Sequence, residues 1–316
     1  MTVWVVGASG KIGSVLAETL ANLGNSVIGI GRKSNDKFSF GQWVQWNPVV
    51  DEKIPSSLRR PDTVFYLAGQ TSSAVARDDV AADIVSNLVG LAKVVNAATR
   101  DGNTPHVISA GATTESFLDP SGLSHYPAMD KIASFYETSK AAQRLYLGQY
   151  AREEMIDFTT LRLSNIYGGH IGNTPGRSFL DRCIQTAVEE GSVTFFSGRP
   201  YARDYLHVSD AALAFVAAAE KRNITRNRVY EVGFGLSHSI LSVLQKLRNI
   251  VRCQLGIDFR LIETTPPAHT HALDLIDRHV DASIFRSHTR WFPAVDLESG
   301  ITAAVARAAR NYRAEL

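Results

Sequence analysis

A chain of 316 residues is long enough for one large domain or two joined ones. Its 45% hydrophobic and 20% charged residues are ordinary globular composition, and 33 basic against 31 acidic residues leave a formal charge of +2, which gives no reason to expect nucleic acid or a membrane surface as partner. Two cysteines, Cys183 and Cys253, are too few for a disulfide scaffold and suit a reducing, cytoplasmic setting; no metal site is expected.

The first residues, Met1-Thr2-Val3-Trp4-Val5-Val6-Gly7, read as a strand entering a glycine turn rather than as a signal peptide. No segment is expected to reach the about 20 apolar residues that span a bilayer. In chain order, residues 3–6 are an apolar strand, and 12–23 carry apolar side chains at helical spacing, stopped by Gly24-Asn25. Strands are expected at 27–30, 63–67, 106–109 and 158–163, with helices at 81–98 and 133–150. Strands apolar throughout and separated by helices imply a parallel sheet covered on both faces. After Gly168 the texture changes. A loop of Gly, Asn, Thr and Pro precedes helices at 179–190, 209–221 and 239–255 and short strands at 193–196, 229–232 and 259–263. The expectation is an α/β protein with a Rossmann-like, doubly wound parallel sheet in residues 1–168. Residues 169–316 would form a smaller α/β substrate-binding lobe, with segments such as 229–232 returning to the main sheet.

Gly7, Ser9, Gly10, Lys11, Ile12 and Gly13 lie between the first strand and the first helix. Glycine allows a tight turn and close backbone approach to a pyrophosphate, and the helix N-terminus favours its negative charge. After the second strand, Arg32 stands where an acidic residue would bind the adenosine ribose hydroxyls; a guanidinium there suits a 2′-phosphate. NADP(H) is therefore favoured, with NAD(H) left open. Tyr136 and Lys140 sit at i and i+4 of an expected helix, hence on one face. A neighbouring ammonium lowers the pKa of a phenol, so Tyr136 can exchange a proton with a sugar hydroxyl or carbonyl as hydride moves.

Further pieces follow in order along the chain. They are Asp62-Thr63-Val64-Phe65-Tyr66-Leu67-Ala68-Gly69, Asn87-Leu88-Val89-Gly90, Val107-Ile108-Ser109 and Leu161-Arg162-Leu163-Ser164-Asn165-Ile166-Tyr167-Gly168. Then come Arg203-Asp204-Tyr205-Leu206-His207-Val208-Ser209-Asp210, Tyr230-Glu231-Val232-Gly233 and Arg290-Trp291-Phe292-Pro293. With the glycine turn and the Tyr136–Lys140 pair, the sequence resembles the extended short-chain dehydrogenase/reductase family, in its nucleotide-sugar epimerase, dehydratase and 4-ketoreductase group. That resemblance implies cofactor contacts at Leu67, Ala68, Gly69, Asn87 and Ser109, besides Tyr136 and Lys140. It implies contact of Asn165 with the phosphate or sugar of a nucleotide-diphosphate sugar, pairing of Arg203 with the diphosphate, and a looser match for Arg278. It also implies a homodimer built on the helices carrying Asn87 and Tyr136.

The chain departs from the family at Gly111, where a Ser or Thr hydroxyl normally meets the reacting oxygen. Thr113 is the chosen substitute, with Thr114 and Ser109 as alternatives. Thr113-Thr114-Glu115 offers one carboxylate where the 4,6-dehydratases carry an Asp-Glu pair, which argues against that subgroup. His170 is a minor candidate. The leading expectation is NADPH-linked reduction of a 4-keto-6-deoxy nucleotide-sugar. The alternatives are a nucleotide-sugar 4-epimerase with tightly held NAD and a non-catalytic dinucleotide-binding regulator.

Overall fold

The computed structural model describes residues 1–69, 73–118, 134–169, 178–196, 201–266 and 277–315. In chain order its elements are β1 (Thr2–Val6), α1 (Lys11–Asn22), β2 (Ser26–Gly31), β3 (Gln42–Gln45), β4 (Thr63–Tyr66), α2 (Ser73–Asp78), α3 (Val80–Ile84), α4 (Gly90–Ala98), β5 (His106–Ala112), α5 (Phe135–Arg152), β6 (Asp157–Leu163) and β7 (Asn165–Tyr167). They continue as α6 (Phe179–Glu189), β8 (Ser192–Phe196), β9 (Ala202–His207), α7 (Val208–Glu220), α8 (Arg222–Thr225), β10 (Arg228–Val232), β11 (Ser237–Ser239), α9 (Ile240–Leu255), β12 (Arg260–Thr264), α10 (Ser283–Thr289) and α11 (Leu297–Glu315).

The chain forms two compact units. The first comprises Met1–Leu163, Ala212–Val232 and Ala282–Trp291. Its seven strands run in the order β10-β6-β5-β4-β1-β2-β3, every neighbouring pair parallel. The sheet is the doubly wound Rossmann-like arrangement. Strand order reverses at β1 and β4, and the loops leaving these two strands flank the crevice where such sheets bind ligands. Val3, Trp4, Val5 and Val6 are all buried because helices cover both faces. On one face Trp4, Ile28, Val64 and Tyr66 pack with Leu91, Val94 and Val95 of α4. On the other, the rings of Phe65 and Phe215 meet edge-on.

The expected helix over 81–98 is interrupted. Asp79 caps α3 by accepting from the Ala82 N–H at 2.9 Å, and a π-turn, Val85–Val89, separates α3 from α4. The run Val80–Ala98 is 19 residues long with mean hydropathy 1.4 over its most apolar window. By length and composition it is enough to cross a membrane, which corrects the expectation that no segment is. In this unit it packs as a core element, with Leu91, Val94 and Val95 buried and with Asp83 and Asn87 buried and hydrogen-bonded to each other. The edge strand β3, with glutamines at both ends, lacks the continuous apolar character of its neighbours and was not anticipated.

The second unit comprises Ser164–Ala211, Gly233–Asp281 and Phe292–Leu316. In it β9 pairs in parallel with β7 and antiparallel with β11, while β12 pairs with β8. Leu180 and Ile184 of α6, Val243 and Leu247 of α9, and Ile301 and Val305 of α11 form its core. Gly300 leaves room for the Tyr167 ring, since a Cβ there would lie 2.1 Å from Oη. Both cysteines are free; Cys183 is buried and Cys253 exposed.

Candidate active site

The glycine turn leaves β1 at Val6. Gly7 has φ +89°, and its N–H donates to the Ile30 carbonyl at 2.9 Å, tying the turn to the end of β2. A Cβ at Gly7 would come within 2.9 Å of the Ala68 nitrogen, and one at Gly13 within 2.2 Å of the Gly7 carbonyl oxygen. Side chains at either position would break the packing of β1, α1 and the 67–69 segment. Gly10 precedes α1 in extended conformation and donates to the Gly7 carbonyl at 2.8 Å; no side chain caps the helix start. Ser9 is exposed beside it, and Lys11 and Ile12 are half-buried. Leu67, Ala68 and Gly69, also half-buried, continue β4 next to the turn, with the Leu67 N–H on the Val6 carbonyl at 2.9 Å. Arg32 is exposed, two residues past the Ile30 carbonyl that anchors the turn.

Helix α5 opens on a capping box. Glu137 Oε2 accepts from the Ser134 N–H at 3.0 Å and from the Ser134 hydroxyl, and Oε1 accepts from the Thr114 hydroxyl at 2.9 Å. Tyr136 follows, half-buried, and Lys140 is buried one turn on. Lys140 Nζ donates to the Ala110 carbonyl at 3.0 Å and to Gln143 Oε1 at 3.3 Å. Gln143 Nε2 donates to the Asn87 carbonyl at 3.0 Å. Asn87 Nδ2 donates to Asp83 Oδ1 and to Ser139 Oγ, both at 2.9 Å. Asn87 Oδ1 is buried and makes no hydrogen bond to a described residue; it faces Gly69, where a Cβ would sit 2.1 Å away. Burial pushes the Lys140 ammonium below the usual lysine range, and the Glu115 and Asp83 carboxylates pull it back.

The carboxylate of Glu115 explains the glycine at 111. Strand β4 stops at Tyr66, opposite Ser109, while β5 continues beside β6 to Ala112. Two backbone groups of β5 past that point are taken by side chains: the Ala110 carbonyl by Lys140, and the Ala112 N–H by Glu115 Oε1 at 2.5 Å. A Cβ at Gly111 would lie 2.7 Å from Glu115 Oε1 and 3.0 Å from Thr160 Cγ2, so a Ser or Thr there requires the Glu115 carboxylate to leave its place. Glu115 is fully buried, with Oε2 3.7 Å from Arg162 Nε, and Arg162 Nη1 donates to Glu231 Oε1 at 3.2 Å. Burial pushes the Glu115 carboxyl up, opposed by the Ala112 N–H and Arg162. Of the hydroxyls weighed as substitutes, Ser109 shares a hydrogen bond with Thr160 at 2.9 Å, and Thr114 is held by Glu137. Thr113 is half-buried at the start of the 3-10 turn Thr113–Leu118. Sequence reasoning missed Gln143, Asp83 and the buried placement of Glu115. The absent side chain at Gly111 was the one available signal for the last.

In the second unit Asn165 of β7 donates from Nδ2 to the Asp204 carbonyl at 3.0 Å. Arg203 of β9 is buried, its guanidinium 5.2 Å from the Tyr201 ring centroid and its Nη1 on the Ala202 carbonyl at 3.1 Å. The Arg278 N–H also reaches that carbonyl, at 3.0 Å. The fully buried Asp204 accepts from the Phe234 and Gly235 N–H groups at 2.9 and 2.6 Å. The three expected substrate contacts therefore gather around β9. His170 lies outside the described residues.

The model of the NAD dependent epimerase/dehydratase family matches residues 3–233. The chain belongs to this family. It is thus an enzyme of the short-chain dehydrogenase/reductase type. Among its family relatives, UDP-glucose 4-epimerase of Mycolicibacterium smegmatis is 28% identical over 327 residues, covering 96% of this chain and 97% of that protein. The fold is similar to that of UDP-glucose 4-epimerase from Thermotoga maritima, solved with UDP-glucose, at TM-score 0.81 and 24% identity, covering 99% of this chain and 100% of that one. It is also similar to RMD from Pseudomonas aeruginosa complexed with NADPH, at TM-score 0.76 and 17% identity, covering 98% and 99%. Known structures of this fold thus include a nucleotide-sugar complex and an NADPH complex.

Proposed function

We propose that this family member is a nucleotide-sugar 4-epimerase that holds its dinucleotide on the Gly7–Gly13 turn and moves the sugar proton with Tyr136. The reading reverses the order expected from sequence, where reduction led. The observation that carries it is the Mycolicibacterium smegmatis 4-epimerase, alike over nearly the full length of both chains. The first unit is read as the dinucleotide-binding part and the second, with Asn165, Arg203 and Arg278, as the part that grips a nucleotide diphosphate.

The residues at the turn fit a dinucleotide. Gly7 and Gly13 let the turn pack backbone against backbone where a Cβ would clash, and α1 begins without a side-chain cap, leaving its first N–H groups for a phosphate. Asn87 Oδ1 is a buried acceptor facing Gly69, without a hydrogen bond to any described residue. A dinucleotide held on the Gly7–Gly13 turn would supply a reversible hydride acceptor for the sugar carbon. Tyr136 Oη takes the proton of the sugar hydroxyl and returns it after the sugar has presented its other face. Lys140 keeps the phenolate accessible, because a nearby ammonium stabilises the charged form. Thr113 remains the hydroxyl proposed to meet the reacting oxygen.

Arg32 favours the second reading, an NADPH-linked 4-ketoreductase, since its exposed guanidinium suits a 2′-phosphate. The experiment is to identify the dinucleotide that co-purifies and to incubate the protein with a panel of nucleotide-sugars. Interconversion of UDP-glucose and UDP-galactose with no net change in reduced cofactor supports the epimerase. One NADPH oxidised per product, with a 4-keto-6-deoxy sugar as the accepted substrate, replaces it with the reductase.

A further inference from the structure

An ammonium has three donors, and burial makes each unmet donor costly. Two donors of Lys140 are met by the Ala110 carbonyl at 3.0 Å and Gln143 Oε1 at 3.3 Å. Gln143 is itself 1% exposed, and the other end of its amide donates to the Asn87 carbonyl at 3.0 Å. That carbonyl lies in the π-turn Val85–Val89, where the wider i→i+5 spacing disturbs the regular helical ladder and leaves room for a side-chain donor. The Gln143 amide accepts at its oxygen and donates from its nitrogen, so one side chain joins the two groups. Gln143 stands three residues after Lys140, on the same face of α5, so one helix carries the ammonium and its holder.

We propose that Gln143 is a positioning residue for the Tyr136–Lys140 pair: its amide bridges the Asn87 carbonyl and the Lys140 ammonium, fixing where the positive charge stands. The inference rests on the reading of Tyr136 and Lys140 as the proton-transfer pair. It concerns no atom that touches substrate. The charged groups around the ammonium are Glu115 beside β5 and Asp83 on α3. Around those carboxylates stand Glu137 and Arg144 on α5 and Arg162 on β6. None of these is altered in the test, so the electrostatic background stays constant.

The test reads the ionisation of Tyr136 directly, without turnover. The near-ultraviolet phenolate absorbance is titrated against pH, and the difference between the protein and its Tyr136→Phe variant isolates this one phenol. The titration is run without added cofactor and again with NAD+. Gln143→Met, close in shape but unable to bridge, is expected to move the Tyr136 transition up by about one pH unit. A purely structural role would lower Tm and leave the transition in place, which overturns the proposal. Gln143→Leu serves if the Met variant does not fold. Lys140→Met separates the two levels. If it moves the transition up and Gln143→Met does not, the Gln143 inference alone fails. If Lys140→Met leaves the transition unmoved, the pairing itself is wrong and the inference falls with it.

Discussion

Gly111 and Glu115 are best understood as one feature. A side chain at 111 and a carboxylate accepting from the Ala112 N–H compete for the same few cubic ångströms, because the would-be Cβ lies 2.7 Å from Glu115 Oε1. Gly111→Ser is therefore expected to destabilise the protein by about 1–3 kcal/mol, the range for overpacked cores, read from urea unfolding. In a Glu115→Ala background the same substitution should cost much less, so the two changes are strongly non-additive. His106 makes a second residue-scale prediction. Thr159 Oγ1 donates to the Thr225 carbonyl at 2.9 Å, so it accepts from His106 Nε2 at 2.8 Å, which sets the tautomer and leaves the buried Nδ1 without a hydrogen bond to any described residue. Burial, then the Arg222 charge, lowers the His106 pKa from 6.5 to about 4. The neutral ring is the native form, so the unfolded chain binds the extra proton. Its stabilising contribution is full above pH 6.5 and is lost as pH falls through about 4. The loss is on the order of 3 kcal/mol across that window. His106→Gln should flatten this part of the pH–stability curve; an unchanged slope would show that another group titrates there.

At the scale of elements, the central strands of the first unit were legible because they are apolar on both faces, as β1 and β4 show. The helix α5 was legible to within two residues, its start set by Ser134 and Glu137. The strands β7, β9 and β11 were not, since they are short and polar residues interrupt them: Asn165 on β7, Arg203 and Asp204 on β9. The helix α11 also escaped, although its Ile301 and Val305 build the core of the second unit. The π-turn could not be read from periodicity, because widening one turn changes a hydrogen-bond ladder and not the apolar spacing. The glycine turn, Asn87, Tyr136 and Lys140 were visible as motifs, while Gln143 gained its role only once the two helices were side by side. Asn87→Ala removes the donors that satisfy Asp83 Oδ1 and Ser139 Oγ. It is expected to lower stability by about 1–3 kcal/mol in thermal unfolding, and a smaller loss would mean that those groups find other partners.

At the scale of the whole molecule, the first unit leaves Phe135, Leu145 and Tyr146 of α5 and Ile84 and Val89 of the neighbouring helical run exposed. Apolar side chains gathered on two adjacent helices are what the dimer expected from the family resemblance would cover. Light scattering on the purified protein should report a dimer, and Leu145→Glu combined with Tyr146→Glu should yield a folded monomer. A wild-type monomer would remove that expectation and leave the proposed chemistry intact. The chemistry itself is tested most directly by mixing the cofactor-loaded protein with UDP-glucose and following the absorbance of reduced nicotinamide, in wild type and in Tyr136→Phe. The account predicts that hydride removal slows by about 10²–10⁴-fold in the variant while the dinucleotide stays bound, the usual worth of a positioned acid–base group. Hydride removal at the wild-type rate in Tyr136→Phe would contradict it.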